Sequence, residues 1–369
     1  MRRQVIVGID GNEANVSQRV GSNQYAFELL KALYRLENQH QWIIYLREKP
    51  LSYLPKERVN WSYRIIGPKR FWTRVRLPLD LFLHKPRPDL FFSPGHYAPA
   101  FSPVLIVISI MDLGFLKFPQ QFQKKDLYQL TSWTATSVNS AKHIFAISNK
   151  TKNDIIETYK VASNRITVTY PGYDKDRFNQ KISSKEKERV RGKYQISGEY
   201  ILFLSTLKPS KNIEGLVQAF SLLKDQSLKL VIGGKKGWLF DSIFKRVKEL
   251  GLTEKVVITD FVPDEDVPGL MAGASVFCLP SFWEGFGIPV VEAMACGVPV
   301  VVSNRGSLPE VVGEGGVVID SSQPKSIAQG IEKALKEKEE FIKKGFEQVK
   351  KFSWEDCALE TLKVLENIK

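Results

Sequence analysis

The sequence predicts two α/β domains, each built on a parallel β-sheet, and three observations carry that prediction. Short apolar, β-branched runs alternate with amphipathic helical segments through both halves of the chain. Most of these runs end at a polar or Gly-containing turn that opens the next helix, the signature of a βαβ unit. The length of 369 residues suits two domains at roughly 150 residues each. In open sheets of this kind ligands sit at the C-terminal ends of the strands, so the turns there are where functional residues are sought.

Hydrophobic content of 43% and charged content of 25% are ordinary for globular proteins and supply a sizeable core. The cysteines Cys278, Cys296 and Cys357 form no Cys-x-x-Cys pair and have no histidine nearby. Cys278 and Cys296 lie in apolar runs and read as small core residues of a reduced, cytosolic protein rather than metal ligands. The start, MRRQVIVGIDGNEA, has too short an apolar run for a secretory leader. No segment approaches the ~20 apolar residues of a membrane span. The expectation is a protein that is soluble or bound to a membrane from outside.

The net charge of +13 is one-sided. Residues 1–180 carry 26 Lys and Arg against 14 Asp and Glu, whereas the remainder carries 27 against 26. A basic first half points to an anionic partner, either a phospholipid surface, a lipid diphosphate or nucleic acid, or else to a Lys/Arg-rich surface with no partner.

Taken in order, residues 5–9 form the first strand, ending at Asp10, and a polar loop runs to Gly21. Residues 25–36 carry apolar side chains at helical spacing. Residues 42–46 are the second strand. Residues 64–88 interleave Arg64, Lys69, Arg70, Arg74, Arg76, Lys85 and Arg87 with Phe71, Trp72, Leu77, Leu79, Leu81 and Phe82. That mixture suits a membrane interface or RNA, and equally a helix with a solvated basic face. Residues 89–92 and 104–108 are further buried strands, followed respectively by His96 and by Met111-Asp112. Residues 141–148 lead into a helix capped by Ser148. Residues 166–168 are the last strand of the first domain.

Residues 175–198 are polar and are assigned as the linker, with a short helix at about 185–194. The second domain starts with a strand at 200–204 and a turn bearing Lys208 and Lys211. A cation at such a turn can meet an anionic ligand group. Strands at 228–232, 256–258 and 275–279 follow, and Ser353 caps a final helix.

Residues 281–320 organise the chain. Glu284 precedes the turn Gly285-Phe286-Gly287, Ile288-Pro289 opens a helix, and Glu292 lies about one turn inside it. Gly297 and Pro299 stop the helix, residues 298–302 form a doubly covered strand, and a second turn follows at 304–307. A helix start flanked by glycines suits phosphate or a hydroxyl-rich ligand, and ionised carboxylates accept hydrogen bonds from sugar hydroxyls.

This stretch closely resembles the C-terminal signature of family 4 retaining glycosyltransferases, the group 1 glycosyl transferases with the GT-B fold. The match comprises Glu284, the Gly-Phe-Gly turn, Glu292, Ala293, Ala295, Gly297, Pro299, Val300, Gly306, Pro309, Glu310 and Gly313. The resemblance implies two Rossmann-like domains facing a cleft, with a C-terminal helix crossing back to the first. Their expected ranges are 1–174 for acceptor binding, 175–198 for the linker, 199–352 for the nucleotide sugar, and 353–369 for the crossing helix.

It further implies that Glu292 holds the ribose hydroxyls, and that Glu284, next to Gly285, holds the sugar with the amides of Phe286 and Gly287. Lys211 and Lys208, with the amides around Gly306, Ser307 and Leu308, would take the diphosphate. Val262 would lie in the base-binding turn and Gly21 over the diphosphate or acceptor. Glu284, Asp112 and Lys211 are the catalytic candidates.

Two positions depart from the pattern. Met111 stands where the family has histidine, with His96 a partial substitute, and Thr206 stands where it often has arginine. The expected activity is retaining transfer of a hexose from a UDP- or GDP-sugar to a hydroxyl, without a metal or other cofactor. The acceptor would be lipid-linked or a polysaccharide, and the enzyme cytoplasmic, in contact with an anionic inner membrane face. Nucleic acid is not expected as the main partner. The alternatives are a nucleotide-sugar binder with weak transferase activity, and an epimerase or phosphorylase on the same fold.

Overall fold

The computed structural model describes residues 4–237 and 240–368. The chain divides into two compact units. One runs through Pro171 and takes in the C-terminal segment from Ser353, and the other is Gly172–Phe352.

The first unit holds strands β1 (Ile6–Asp10), β2 (Gln41–Leu46), β3 (Trp61–Ile65), β4 (Leu90–Ser93), β5 (Leu105–Ile110), β6 (His143–Ala146) and β7 (Ile166–Val168). They pair in the order β3-β2-β1-β4-β5-β6-β7, and every pairing is parallel. The second unit holds β8 (Tyr200–Leu204), β9 (Lys229–Gly233), β10 (Val256–Asp260), β11 (Val276–Leu279), β12 (Val300–Ser303) and β13 (Gly316–Ile319). Its order is β10-β9-β8-β11-β12-β13, again parallel throughout. Each sheet grows outward in both directions from its first strand. The direction in which successive strands are added therefore reverses between β1 and β4, and again between β8 and β11. Loops leaving those neighbouring strands diverge and open a crevice at their C-terminal ends.

Central strands are apolar end to end because helices cover both faces. β4, β11 and β12 are buried at every residue. Aromatic rings reach across an intervening strand of the first sheet: Tyr45 of β2 meets Phe91 of β4 at 5.5 Å and 70°, with β1 between them, and Phe92 of β4 meets Phe145 of β6 at 5.5 Å and 79°, with β5 between them, the edge-to-face geometry that ring quadrupoles favour.

Two strands had no counterpart in the sequence reading. β3 is an edge strand of sequence WSYRI whose outer face is polar, so its apolar signal is thin. β13 is four residues set among glycines. The strand expected at 298–302 starts at Val300, since Pro299 has no N–H for the ladder.

The C-terminal helix Trp354–Asn367 belongs to the first unit, as the crossing-helix expectation required. The Ser353 hydroxyl accepts from the Glu355 and Asp356 N–H groups. The Trp354 ring lies 5.9 Å from Tyr25, and His40 Nε2 is 2.9 Å from Glu366. Residues 175–198 lie within the second unit. Their helix Ser184–Lys193 is fastened through Asp266, which is fully buried and accepts from Arg189 at 2.7 Å, Lys193 at 2.5 Å and Tyr194 at 2.8 Å.

Candidate active site

The reversal between β8 and β11 places two loops side by side. The β8 loop ends in a tight turn, Pro209–Lys211, after which Asn212 adopts a left-handed conformation with φ 53°. The buried Asn212 amide donates to the Pro280 carbonyl at 3.2 Å and the Ser321 carbonyl at 2.6 Å. It thereby ties the β8 loop to segments that follow β11 and β13. Phe282 N–H adds a bond to the Ser210 carbonyl, 2.9 Å.

Lys211 is consequently aimed at Glu284, with Nζ 2.5 Å from Oε1 and side chains only 11% and 13% exposed. Ser281 Oγ donates to the same oxygen at 2.7 Å. Both bonds fall on Oε1, and Oε2 makes none among the described residues.

The backbone of Glu284 is held from its other side by the second turn. Its carbonyl accepts from Ser307 N–H at 3.0 Å and Ser307 Oγ at 3.2 Å. Gly306, at φ +63°, makes this contact possible, because a Cβ there would lie 2.3 Å from the Glu284 carbonyl oxygen. One loop thus brings a cation to Glu284 and another fixes its main chain. Gly287 caps the helix Ile288–Ala295 at φ 95°, with Pro289 in the first turn. The orphan N–H groups and dipole of that helix start lie three to four residues from Glu284.

The expected donor residues divide by burial. The side chains of Phe286, Leu308 and Val262 are in the core, and Phe286 packs edge-on against Phe352 at 5.2 Å and 87°. These residues, like Gly285, can meet a ligand only through their main chains. Glu292 is half-buried on the helix, and its charge adds to the burial that pushes the Cys296 thiol up to about 12. Lys208 and Thr206 are half-buried in the β8 loop.

A strap missed by the sequence reading flanks that loop. Leu207 N–H donates to the Lys235 carbonyl at 2.8 Å, and Gly237 N–H donates back to the Leu207 carbonyl at 2.9 Å. Gly234 lets the chains touch, since a Cβ there would fall 1.8 Å from the Ser205 oxygen. The strap carries Lys235 and Lys236 alongside Lys208. Lys236 also pairs with Asp260 at 2.8 Å. The run Gly-Gly-Lys-Lys-Gly was the available signal.

The first-unit candidates gather at the ends of β1, β4 and β5. Gly21, exposed and at φ 52°, precedes the helix Ser22–Arg35, which has no side-chain cap. Ser22 and Asn23 instead bond Glu13, at 3.2 and 2.7 Å. Asp112 accepts from Gly114 N–H at 2.7 Å, and the Met111 carbonyl accepts from Thr151 Oγ1 at 3.1 Å. Burial holds the His96 imidazole below its ordinary range despite the nearby Asp112 charge, so it is neutral at pH 7. Its Nδ1 is buried with no hydrogen-bond partner among the described residues. A cavity of about 490 Å³ bounded by Leu105, Lys142 and Arg165 lies at the opposite, N-terminal ends of β5–β7, away from these groups. No helix among the described residues is long and apolar enough to cross a membrane.

Comparison with known proteins bears on this arrangement. The family described as Glycosyltransferase Family 4 matches residues 20–177, and Glycosyl transferases group 1 matches residues 184–348. O-antigen chain mannosyltransferase B of Escherichia coli is 32% identical over 335 residues, covering 89% of this chain and 83% of that protein. Serotype-specific mannosyltransferase WbdA of E. coli is 32% identical over 226 residues, 59% of this chain but only 28% of WbdA.

Sucrose-phosphate synthase of Thermosynechococcus elongatus superposes with TM-score 0.77 over 98% of both chains at 19% identity. HepE of Anabaena, solved with UDP and glucose, gives 0.77 over 99% of this chain and 100% of its own at 17% identity. At such identities the structural likeness shows the two-domain GT-B fold alone. The parallel sheets, the paired glutamates framed by glycine turns and a relative matching most of both chains lead to one conclusion: the chain belongs to glycosyltransferase family 4, among the group 1 glycosyl transferases, and is a hexosyltransferase.

Proposed function

We propose that the protein transfers a hexose, with mannose the first choice, from a nucleotide-diphosphate sugar to a hydroxyl of a lipid-linked or polysaccharide acceptor, with retention at the anomeric carbon. The observation that carries this reading is the Lys211–Glu284 pair, 2.5 Å apart, at the point where the second sheet reverses. Glu284 keeps Oε2 for sugar hydroxyls, while the Lys211 ammonium and the Gly306–Leu308 amides meet the diphosphate. Glu292 takes the ribose hydroxyls.

As the bond from the anomeric carbon to the phosphate oxygen breaks, negative charge grows on the departing diphosphate. Fixed cations and N–H groups stabilise that charge more than they stabilise the ground state. The acceptor oxygen bonds to the same face of the sugar, and its proton passes to the departing phosphate oxygen. In this reading the lysines and helix N-terminus do the work a metal would otherwise do. Mannose is supported by the names of the E. coli relatives. A uridine nucleotide finds support in HepE, and a guanosine nucleotide is the competing base. The enzyme would work in the cytoplasm at an anionic membrane face.

A thermal-shift screen with UDP, GDP, ADP and their hexose conjugates tests the donor site. Ligand at 100 times its Kd should stabilise by about 2.7 kcal/mol. One base should act, and Glu292→Ala should abolish the shift. No shift with any of them would overturn the assignment, and product NMR would decide retention. A second reading, a nucleotide-sugar binder with weak turnover, is favoured by the Met111 thioether, which cannot donate a hydrogen bond or relay a proton. It predicts full donor binding with little transfer, and a gain in transfer for Met111→His.

A further inference from the structure

The first unit carries an apolar stripe that faces solvent. A π-turn, Trp72–Arg76, runs directly into the helix Leu77–Leu83. One side of this segment is core: Trp72, Leu77 and Leu81 are buried. The other side presents Phe71, Val75, Leu79 and Phe82, spaced by four, four and three residues, with Leu83 beside them. These side chains are 61%, 44%, 50%, 48% and 79% exposed, respectively. Apolar residues at helical spacing belong to a buried face, and a contiguous exposed set marks an interaction site. Phe71 also sits at φ +58°, unfavourable for an aromatic residue, just where the stripe begins.

The rim of the stripe is cationic. Residues 65–88 hold six Lys and Arg and one acid, Asp80, and Asp80 is already engaged by Arg64. Among the described residues Arg70, Arg76 and Lys85 have no carboxylate partner. A protein core would leave these charges buried and unpaired, whereas a bilayer of anionic lipids takes apolar side chains at acyl depth and cations at headgroup depth. We infer that Phe71, Val75, Leu79, Phe82 and Leu83, rimmed by Arg70, Arg76 and Lys85, form the surface on which this protein docks to an anionic lipid bilayer. This names the surface for the membrane contact proposed above and rests on that reading.

The test is co-sedimentation of the full chain with phosphatidylcholine vesicles, with and without phosphatidylglycerol, at low and high salt. The wild type should pellet with the phosphatidylglycerol vesicles and be released by salt. Phe71→Ser/Phe82→Ser should weaken binding by roughly tenfold or more. Arg70→Gln/Arg76→Gln/Lys85→Gln should do so too and lose the salt response. Both variants change exposed residues, so their donor-induced thermal shift should equal the wild type's, which separates docking from donor binding. Failure of the wild type to bind phosphatidylglycerol vesicles would overturn the inference, as would undiminished binding by the serine variant. So would a wild-type dimer in ultracentrifugation that this variant dissociates, because the stripe would then join two copies.

Discussion

Replacing Lys211 by Met removes a buried ammonium and leaves the Glu284 carboxylate with Ser281 Oγ as its remaining side-chain partner. Stranding one member of a fully buried ion pair costs about 3–5 kcal/mol. Here both side chains keep about a tenth of their surface in water, and the Ser281 bond survives, so about 2–3 kcal/mol is expected. Glu284→Gln removes the charge but retains an acceptor, which should cost about 1 kcal/mol. Combined with Lys211→Met it should recover part of the loss, since no buried charge is then left unpaired. The coupling energy should be about 1–2 kcal/mol.

Urea unfolding of the four proteins of this cycle, followed by a probe in the second unit, gives the stability terms. Nucleotide-sugar titration gives the second readout, and Lys211→Met should weaken it tenfold or more, or about 1.4 kcal/mol. The reasoning is refuted if Lys211→Met unfolds at the wild-type midpoint and the double variant is additive within about 0.5 kcal/mol.

Gly306→Ala changes no charge yet should impair the same site. Its φ of +63° and a Cβ 2.3 Å from the Glu284 oxygen predict about 2–4 kcal/mol of destabilisation in denaturant and weaker donor binding. Asp266→Ala strips three donors of their common acceptor and should lower second-unit stability by about 2–4 kcal/mol, read by urea unfolding.

Asp10 gives a pH test. Burial outweighs the Asn12 hydrogen bonds and the Arg47 charge and lifts its carboxyl to about 6. The folded chain then holds this proton more tightly than the unfolded one, so stability falls as pH rises from about 4 through 6. Asp10→Asn should flatten that slope and gain about 1–2 kcal/mol at pH 7, measured by unfolding across the pH range.

Much of the fold was legible because its signals are local. Buried strands of a doubly covered sheet announce themselves as apolar runs. Ser148 and Ser353 read as caps because they stand just ahead of periodic segments, and each accepts the N–H bonds expected of it. β3 and β13 escaped notice, one being an amphipathic edge and the other four residues among glycines. At the site, the Glu284, Gly-Phe-Gly and Glu292 spacing was readable because turn, cap and helix lie within one short stretch.

What the sequence by itself determined, then, is the succession of strands and helices, the helix start beside Glu284 and the basic character of the first half. Its reach ends where contacts cross the chain. Lys211 meets Glu284 across 73 residues, the 234–237 strap lies on the β8 loop, and Asp266 gathers partners from the segment taken for a linker. Propensity and periodicity act over a few residues. Which loops become neighbours depends on the order in which the strands pair, and that order is fixed only when the whole sheet closes its core.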